Sequence, residues 1–202
     1  MELASRALQT AFEENLNLNF YCTIATPENI KYLLKAGDIP KNFGLLSIDI
    51  DSMDYHVLEA VLVDYHPQVI CVEINERIPP GISYILPKDT NNLPRDSTMI
   101  SSAGISNYEK LLHNFNYSLV ALEYNNLIAI SNDVASGKEY IICNISANDL
   151  WDKGFFRKMD WREKMPWNIP FEKAWTLPKV DCCNELKRLH KSLYNFECAI
   201  DP

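Results

Sequence analysis

Two short apolar runs, each closed by acids, constrain the fold of this 202-residue chain more than any other feature. The first is Leu45-Leu46-Ser47-Ile48-Asp49-Ile50-Asp51, and the second is Val69-Ile70-Cys71-Val72-Glu73-Ile74-Asn75. Runs that are apolar at successive positions offer no solvent face, so they read as strands buried on both sides, the habit of parallel sheets. Between them Tyr55, Leu58, Leu62 and Tyr65 share one face of a helix, and His66-Pro67 closes it. Strand, helix and strand make a β-α-β unit. Its two strands deliver carboxylates to one sheet edge, where open α/β folds place their ligands.

Composition narrows the partners. The hydrophobic content of 47% allows one globular core, and the net charge of −8, with Lys and Arg scattered, is not the footprint of a nucleic-acid binder. A small ligand, or one held through a metal, fits better. No stretch reaches the ~18 apolar residues of a membrane span, and the Met1-Glu2-Leu3-Ala4-Ser5-Arg6 start is unlike a secretory signal, so a cytoplasmic protein with no membrane partner is expected. The six cysteines include no C-x-x-C pair and read as reduced, structural thiols.

Elsewhere the punctuation is mostly local. Leu3, Ala7, Leu8, Ala11 and Phe12 predict an amphipathic helix over 2–15, and residues 18–25 a strand. Thr26-Pro27-Glu28 opens a short helix to Lys35. From Pro79 to Ser102 a loop of more than 20 residues is expected, and Ser106-Asn107-Tyr108-Glu109 reads as a capping box opening a helix. Residues 117–124 and 127–131, joined at Asn125-Asn126, predict an antiparallel hairpin. All four tryptophans (Trp151, Trp161, Trp167, Trp175) fall in a tail that ends in a helix over 184–194. They read as packing for a segment laid over the sheet.

The two acidic blocks carry a resemblance. Residues 39–55, IPKNFGLLSIDIDSMDY, and 65–81, YHPQVICVEINERIPPG, are similar to motifs of the FkbM-type methyltransferases, which use S-adenosylmethionine. The likeness runs from about residue 18 to 135. It implies a Rossmann-like α/β domain over 1–135, its sheet mostly parallel with a C-terminal antiparallel hairpin, followed by a Trp-rich extension over 136–202 packed on it. In that class the strand order is 3-2-1-4-5-7-6. The acidic strands would be the fourth and fifth, and the hairpin the last two.

The chain departs from the family at its start. It begins after the strand and Gly-rich turn that wrap the cofactor, and its six glycines are isolated, so the domain is N-terminally truncated relative to the family. The fourth strand would lose its neighbour. Either strand 18–25 moves in beside residues 45–51, or a second copy or complementing chain supplies the missing half, or the sequence is a fragment. The family's Gly after Ile-Asp is Ser52 here, which places a side chain in a tight turn.

Alternation along a strand puts Asp49 and Asp51 on one face, and Glu73 and Asn75 likewise on the neighbouring strand, so that all four could converge. Such hard oxygen donors suit Mg²⁺ or Mn²⁺, which lowers the pKa of a substrate hydroxyl. The expected metal ligands are therefore Asp51, Glu73 and Asn75. Asp51 and His56 are the candidate catalytic residues, His56 as general base, while Asp49 and Ser52 would face the S-adenosylmethionine. Bland readings stand beside these: Asp49 capping a loop, Glu73 pairing with Arg77, and Asp54 favouring a helix dipole. Three functions follow: an O-methyltransferase acting on a hydroxyl of a small molecule or sugar, a glycosyltransferase using Asp49-Ile50-Asp51 as an Asp-x-Asp, or a non-catalytic interaction module on the same fold.

Overall fold

The computed structural model describes residues 21–88, 102–136 and 144–189 and the backbone of Ala199–Ile200. The expected helix over 2–15 and the first residues of strand 18–25 lie outside them, as do residues 89–101 of the long loop and the last residues of the tail helix. Within them lies an α/β fold around a four-stranded open sheet of order β1-β2-β5-β4. Its strands are β1 (Leu45–Ile48), β2 (Val69–Glu73), β4 (Tyr117–Glu123) and β5 (Asn126–Ser131). β1 and β2 run parallel, Leu45 opposite Val69 and Ile48 opposite Val72. β5 is antiparallel to both β2 and β4.

The sheet is thus mixed, and only one of its three pairings is parallel, where a mostly parallel sheet was expected. The reason is residues 21–25. They are irregular, with Ile24 81% exposed, so β1 has no neighbour on its outer side among the described residues. A sequence strong enough to form a strand does not form one without a ladder to join.

Helix α1 (Ile30–Ala36) packs on α2 (Asp54–Leu62), which links β1 to β2 and buries Val57, Leu58, Val61 and Leu62. Helix α3 (Ile105–Asn114) precedes β4 and buries Tyr108, Leu111 and Leu112. Together these meet one sheet face: Leu46, Ile48, Ile70, Val72, Leu119, Leu122, Leu127 and Ala129 are all buried in one apolar cluster with them. The expected capping box at the start of α3 does not form. Gly104 is the N-cap, the Ser106 hydroxyl accepts the Gly81 N–H, and Glu109 accepts the Ala147 N–H, so tertiary donors outcompete the local motif.

The expected hairpin forms, but its turn falls on Tyr124 and Asn125 and not on Asn125-Asn126, because Asn126 already pairs with Glu123, and the register shifts between Leu119 and Ala121. Tyr124 takes the left-handed angle there, φ 57°. The first part of the long loop is built rather than open. A short β3 (Ile82–Ser83) pairs with β6 (Ala199–Ile200), and Ile78, Ile82 and Tyr84 join a second apolar cluster.

After the small α4 (Asn132–Ser136), the chain returns as α5 (Ala147–Trp151), a π turn (Asp152–Phe156), α6 (Trp161–Lys164), a 3₁₀ stretch (Pro166–Phe171), α7 (Glu172–Trp175) and α8 (Lys179–Leu189). Trp151, Phe155, Phe156, Trp161 and Trp175 pack ring on ring at 5.2–6.0 Å between centroids. Most of the tryptophans are packing groups, as their sequence context suggested, and Trp167 stays 46% exposed. Gly154 allows this layer to approach β4: a Cβ there would lie 2.3 Å from the Leu122 carbonyl oxygen. Cys183 in α8 is disulfide-bonded, in place of the reduced thiol expected, whereas Cys22, Cys71 and Cys182 are free. Among the described residues no helix is long and apolar enough to cross a membrane.

Candidate functional site

The loop leaving β1 is held by its own acid. Asp54 opens α2 fully buried, and its carboxylate accepts the Ile50 N–H at 2.9 Å and the Ser52 N–H at 3.0 Å. Burial raises its pKa, and the two N–H donors offset part of that rise. The bland reading of Asp54 as a helix-dipole partner is incomplete, because the side chain organises the preceding turn. Ser52 completes that turn. Its hydroxyl donates to the Ile50 carbonyl at 3.1 Å and its own carbonyl accepts the Ser102 N–H at 2.7 Å. The left-handed angle falls on Asp51, φ 56°, one residue before Ser52. That angle costs a non-glycine residue about 1 kcal/mol, and Asp tolerates it better than most.

The result is a carboxylate cluster at the carboxyl ends of β1 and β2. Oxygens of Asp49, Asp51 and Glu73 lie within 4.8 Å of one another, with Asp49 and Asp51 exposed and Glu73 half-buried. The parallel register explains the meeting of the first and last. Ile48 lies opposite Val72, so the next step sets Asp49 beside Glu73. One Glu73 oxygen accepts the Asn125 carboxamide N–H, while Oε2 is buried with no hydrogen-bond partner. Burial, and then the charges of Asp49, Asp54 and Asp51, push the Glu73 carboxyl up to about 7. Its backbone is fixed too: the Glu73 carbonyl accepts the Ser102 hydroxyl at 2.9 Å and the Tyr108 hydroxyl at 3.1 Å.

Two expected members stand apart. Asn75 is buried, its Oδ1 accepts the Arg77 N–H at 3.1 Å, and its own N–H donates to the Ala103 carbonyl. β2 has ended at Glu73, and once the chain turns, strand alternation no longer aims Asn75 at the acids. His56 is buried in the first turn of α2 with Nε2 2.6 Å from the Leu86 carbonyl oxygen, which makes Nε2–H the donor. Its Nδ1 lies 4.0 Å from the Glu59 carboxylate, so the ring ties the end of the β3 segment to α2 and not to the acids. Ser52, expected on the cofactor, has its amide and hydroxyl engaged within the turn.

A second polar group near the site was not read from the sequence. The fully buried Asn168 bridges Glu76 and Arg77: its Nδ2 donates to Glu76 at 2.7 Å, and its Oδ1 accepts from Arg77 Nε at 2.9 Å. Trp151 and Trp175 donate their indole N–H groups to the Glu76 and Arg77 carbonyls. The Arg77 guanidinium also sits over the Phe171 ring, 5.5 Å from its centroid. The turn after β2 is thereby bolted to the tail. A charged Glu-Arg pair directly after a strand, with Trp-rich sequence downstream, was the available signal.

As a donor set, three carboxylates with one unpartnered oxygen fit a hard divalent cation, and no ion pair involving Asp49, Asp51 or Glu73 competes for them among the described residues. No protein-family model matches this sequence, and neither a curated protein nor a solved structure matches it.

Proposed function

We propose that this chain is the cation- and acceptor-binding part of an S-adenosylmethionine-dependent O-methyltransferase, on a Rossmann-like sheet, acting on a hydroxyl of a small molecule or sugar. The observation that carries it is the meeting of Asp49, Asp51 and Glu73 at the carboxyl ends of two adjacent parallel strands. The strand order supports the same reading. β1-β2-β5-β4 is the order that the resemblance implies for strands four, five, seven and six.

The chemistry asked of the site is modest. Bound Mg²⁺ or Mn²⁺ supplies Lewis acidity toward an acceptor hydroxyl. Asp49 and Asp51 present exposed oxygens to hold the ion, and Glu73 contributes the third donor once it is deprotonated. The Asp54-held turn keeps Asp51 in place. The S-adenosylmethionine side is not supplied by Ser52, whose polar groups serve the turn, so a complementing chain or a second copy completes the cleft.

A second reading, a non-catalytic interaction module, is favoured by one observation: no Gly-x-Gly occurs in the sequence to let backbone amides approach a cofactor. Calorimetry separates the two. Titration with Mg²⁺ and Mn²⁺ gives saturable heat in the natural sequence and none in Asp51→Asn. S-adenosylmethionine is then added with and without the cation. Absence of cation binding at pH 8 defeats the proposal, and cation binding with no S-adenosylmethionine binding in any assembly leaves the module.

A further inference from the structure

Among the described residues nothing packs on the face of the sheet turned away from α2 and α3, and the middle of that face is apolar. Register places Leu45, Val69, Ile130 and Ser118 in one row across β1, β2, β5 and β4, and Ser47, Cys71, Ile128 and Ala121 in the next. Leu45 is 60% exposed, and Val69, Cys71, Ile128, Ile130 and Ala121 are only half-buried. Among the described residues neither apolar cluster includes them. A parallel pair such as β1 and β2 occurs almost always in sheets covered on both faces, so a layer is missing here.

We propose that residues 2–15 form an amphipathic helix that covers this face, with Leu3, Ala7, Leu8, Ala11 and Phe12 laid on Val69, Cys71, Ile128 and Ile130. The chemistry matches over most of the segment: Leu3, Ala7, Leu8, Ala11 and Phe12 fall on one side of the helix and Glu2, Arg6, Gln9 and Glu13 on the other, with Glu14 in the last turn at the border of the stripe beside Leu3. Ala7 and Ala11 within the stripe let the helix approach the sheet closely. Fourteen residues make about 21 Å of helix, enough to run the length of a five-residue strand of about 17 Å.

The connection also reaches. Residue 26 lies just before α1, which packs on α2 across the sheet from the open face. Residues 16–25 span up to about 33 Å extended, ample to round the free edge of β1. A second copy is the weaker occupant. Each chain carries a net charge of −8, and the same face ends in the row Asp49, Glu73 and Glu123, so two copies would bring like charges together. A tethered segment meets neither obstacle and acts at high effective concentration.

Cys71 is a built-in reporter, because its free thiol sits in the centre of the face, and the exposed free Cys22 serves as reference. The full chain is alkylated with N-ethylmaleimide under native conditions, and the two cysteines are followed by peptide mass spectrometry. Cys71 is expected to react at least tenfold more slowly than in the Leu8→Asp/Phe12→Asp double variant, with Cys22 unchanged and with protection independent of protein concentration. Equal Cys71 rates in the two chains overturn the proposal. So does protection that grows with protein concentration, which assigns the face to a second copy. Should the double variant fail to fold, Ala11→Cys is treated with a short bis-maleimide: an intramolecular link to Cys71 supports the helix, and its absence overturns it.

Discussion

Replacing Glu73 by Gln should stabilise the protein at alkaline pH and leave it unchanged in acid. In the fold the Glu73 carboxyl is displaced from 4.5 up to about 7, first by burial and then by the negative charges of Asp49, Asp54 and Asp51. Below pH 4.5 the group is neutral both folded and unfolded, and carries no penalty. As pH rises toward 7 the unfolded chain releases this proton while the fold retains it, so stability falls, and above 7 the loss is complete. A displacement of that size corresponds to roughly 3 kcal/mol at about 1.4 kcal/mol per pH unit. Because water partly screens the half-buried side chain, about 1–2 kcal/mol is expected. Gln keeps the acceptor for Asn125 and turns an N–H₂ group toward Asp49 and Asp51. Urea unfolding of both proteins from pH 4 to 9 measures the effect. The curves should coincide near pH 4 and separate by about 1–2 kcal/mol at pH 8, a rise in Tm of about 2–4 °C per kcal/mol for a chain of this size. Parallel curves across the range, or a less stable Gln variant at pH 8, would refute the electrostatic account of the cluster.

Three further substitutions test the frame around the site. Asp54→Ala leaves the Ile50 and Ser52 N–H groups without their acceptor beneath a buried helix start, and should lower unfolding free energy by about 2–4 kcal/mol in urea. Asn168→Ala removes one hydrogen-bond partner from each of the buried Glu76 and Arg77, and a loss of about 2–3 kcal/mol is expected, with near-ultraviolet dichroism reporting the loosened Trp151 and Trp175. Gly154→Ala drives a methyl group into the Leu122 carbonyl and should cost about 1–3 kcal/mol by thermal melting, whereas Gly44→Ala, with open space around it, should stay within about 1 kcal/mol.

The part of the fold legible in the sequence is the part written by periodicity. The runs at 45–48 and 69–73 became adjacent parallel strands whose register sets Asp49 beside Glu73, whereas Asp51, three residues past the end of β1, joins them through the turn that Asp54 holds. Other readings that carried a local rule past the end of its element failed. Asn75 was assigned by alternation two residues beyond the last residue of β2, where the chain already turns and a backbone N–H claims its oxygen. Ser106 and Glu109 spell a capping box, yet Gly81 and Ala147, 25 and 38 residues away, take both side chains. His56 could be placed on α2 but not beside Leu86, because that contact depends on how the segment after β2 folds back. The Asn168 bridge spans more than 90 residues, and the Glu76-Arg77 pair marks only one end of it in the sequence.

Several acids of the surface are paired, Glu123 with Lys158, Asp160 with Lys164, Asp152 with Arg157 and Glu185 with Arg188, while Asp38, Asp133, Glu163 and Asp181 are exposed with no ion pair among the described residues, so an unpaired surface acid alone marks nothing. Asp49, Asp51 and Glu73 have no ion pair either among the described residues, but three further departures from local rules fall at the same place: a non-glycine left-handed angle at Asp51, a buried oxygen of Glu73 without a donor, and like charges within 4.8 Å. Each is unfavourable alone, and the strained turn persists because Asp54 and Ser102 hold it from two sides. A fold optimised for stability would place Gln at position 73 and Gly at 51, and neither change would disturb the strands. The cation proposed for this site would offset the like charges and give the unpartnered Glu73 oxygen a partner, whereas the angle at Asp51 is held by the Asp54 and Ser102 contacts alone.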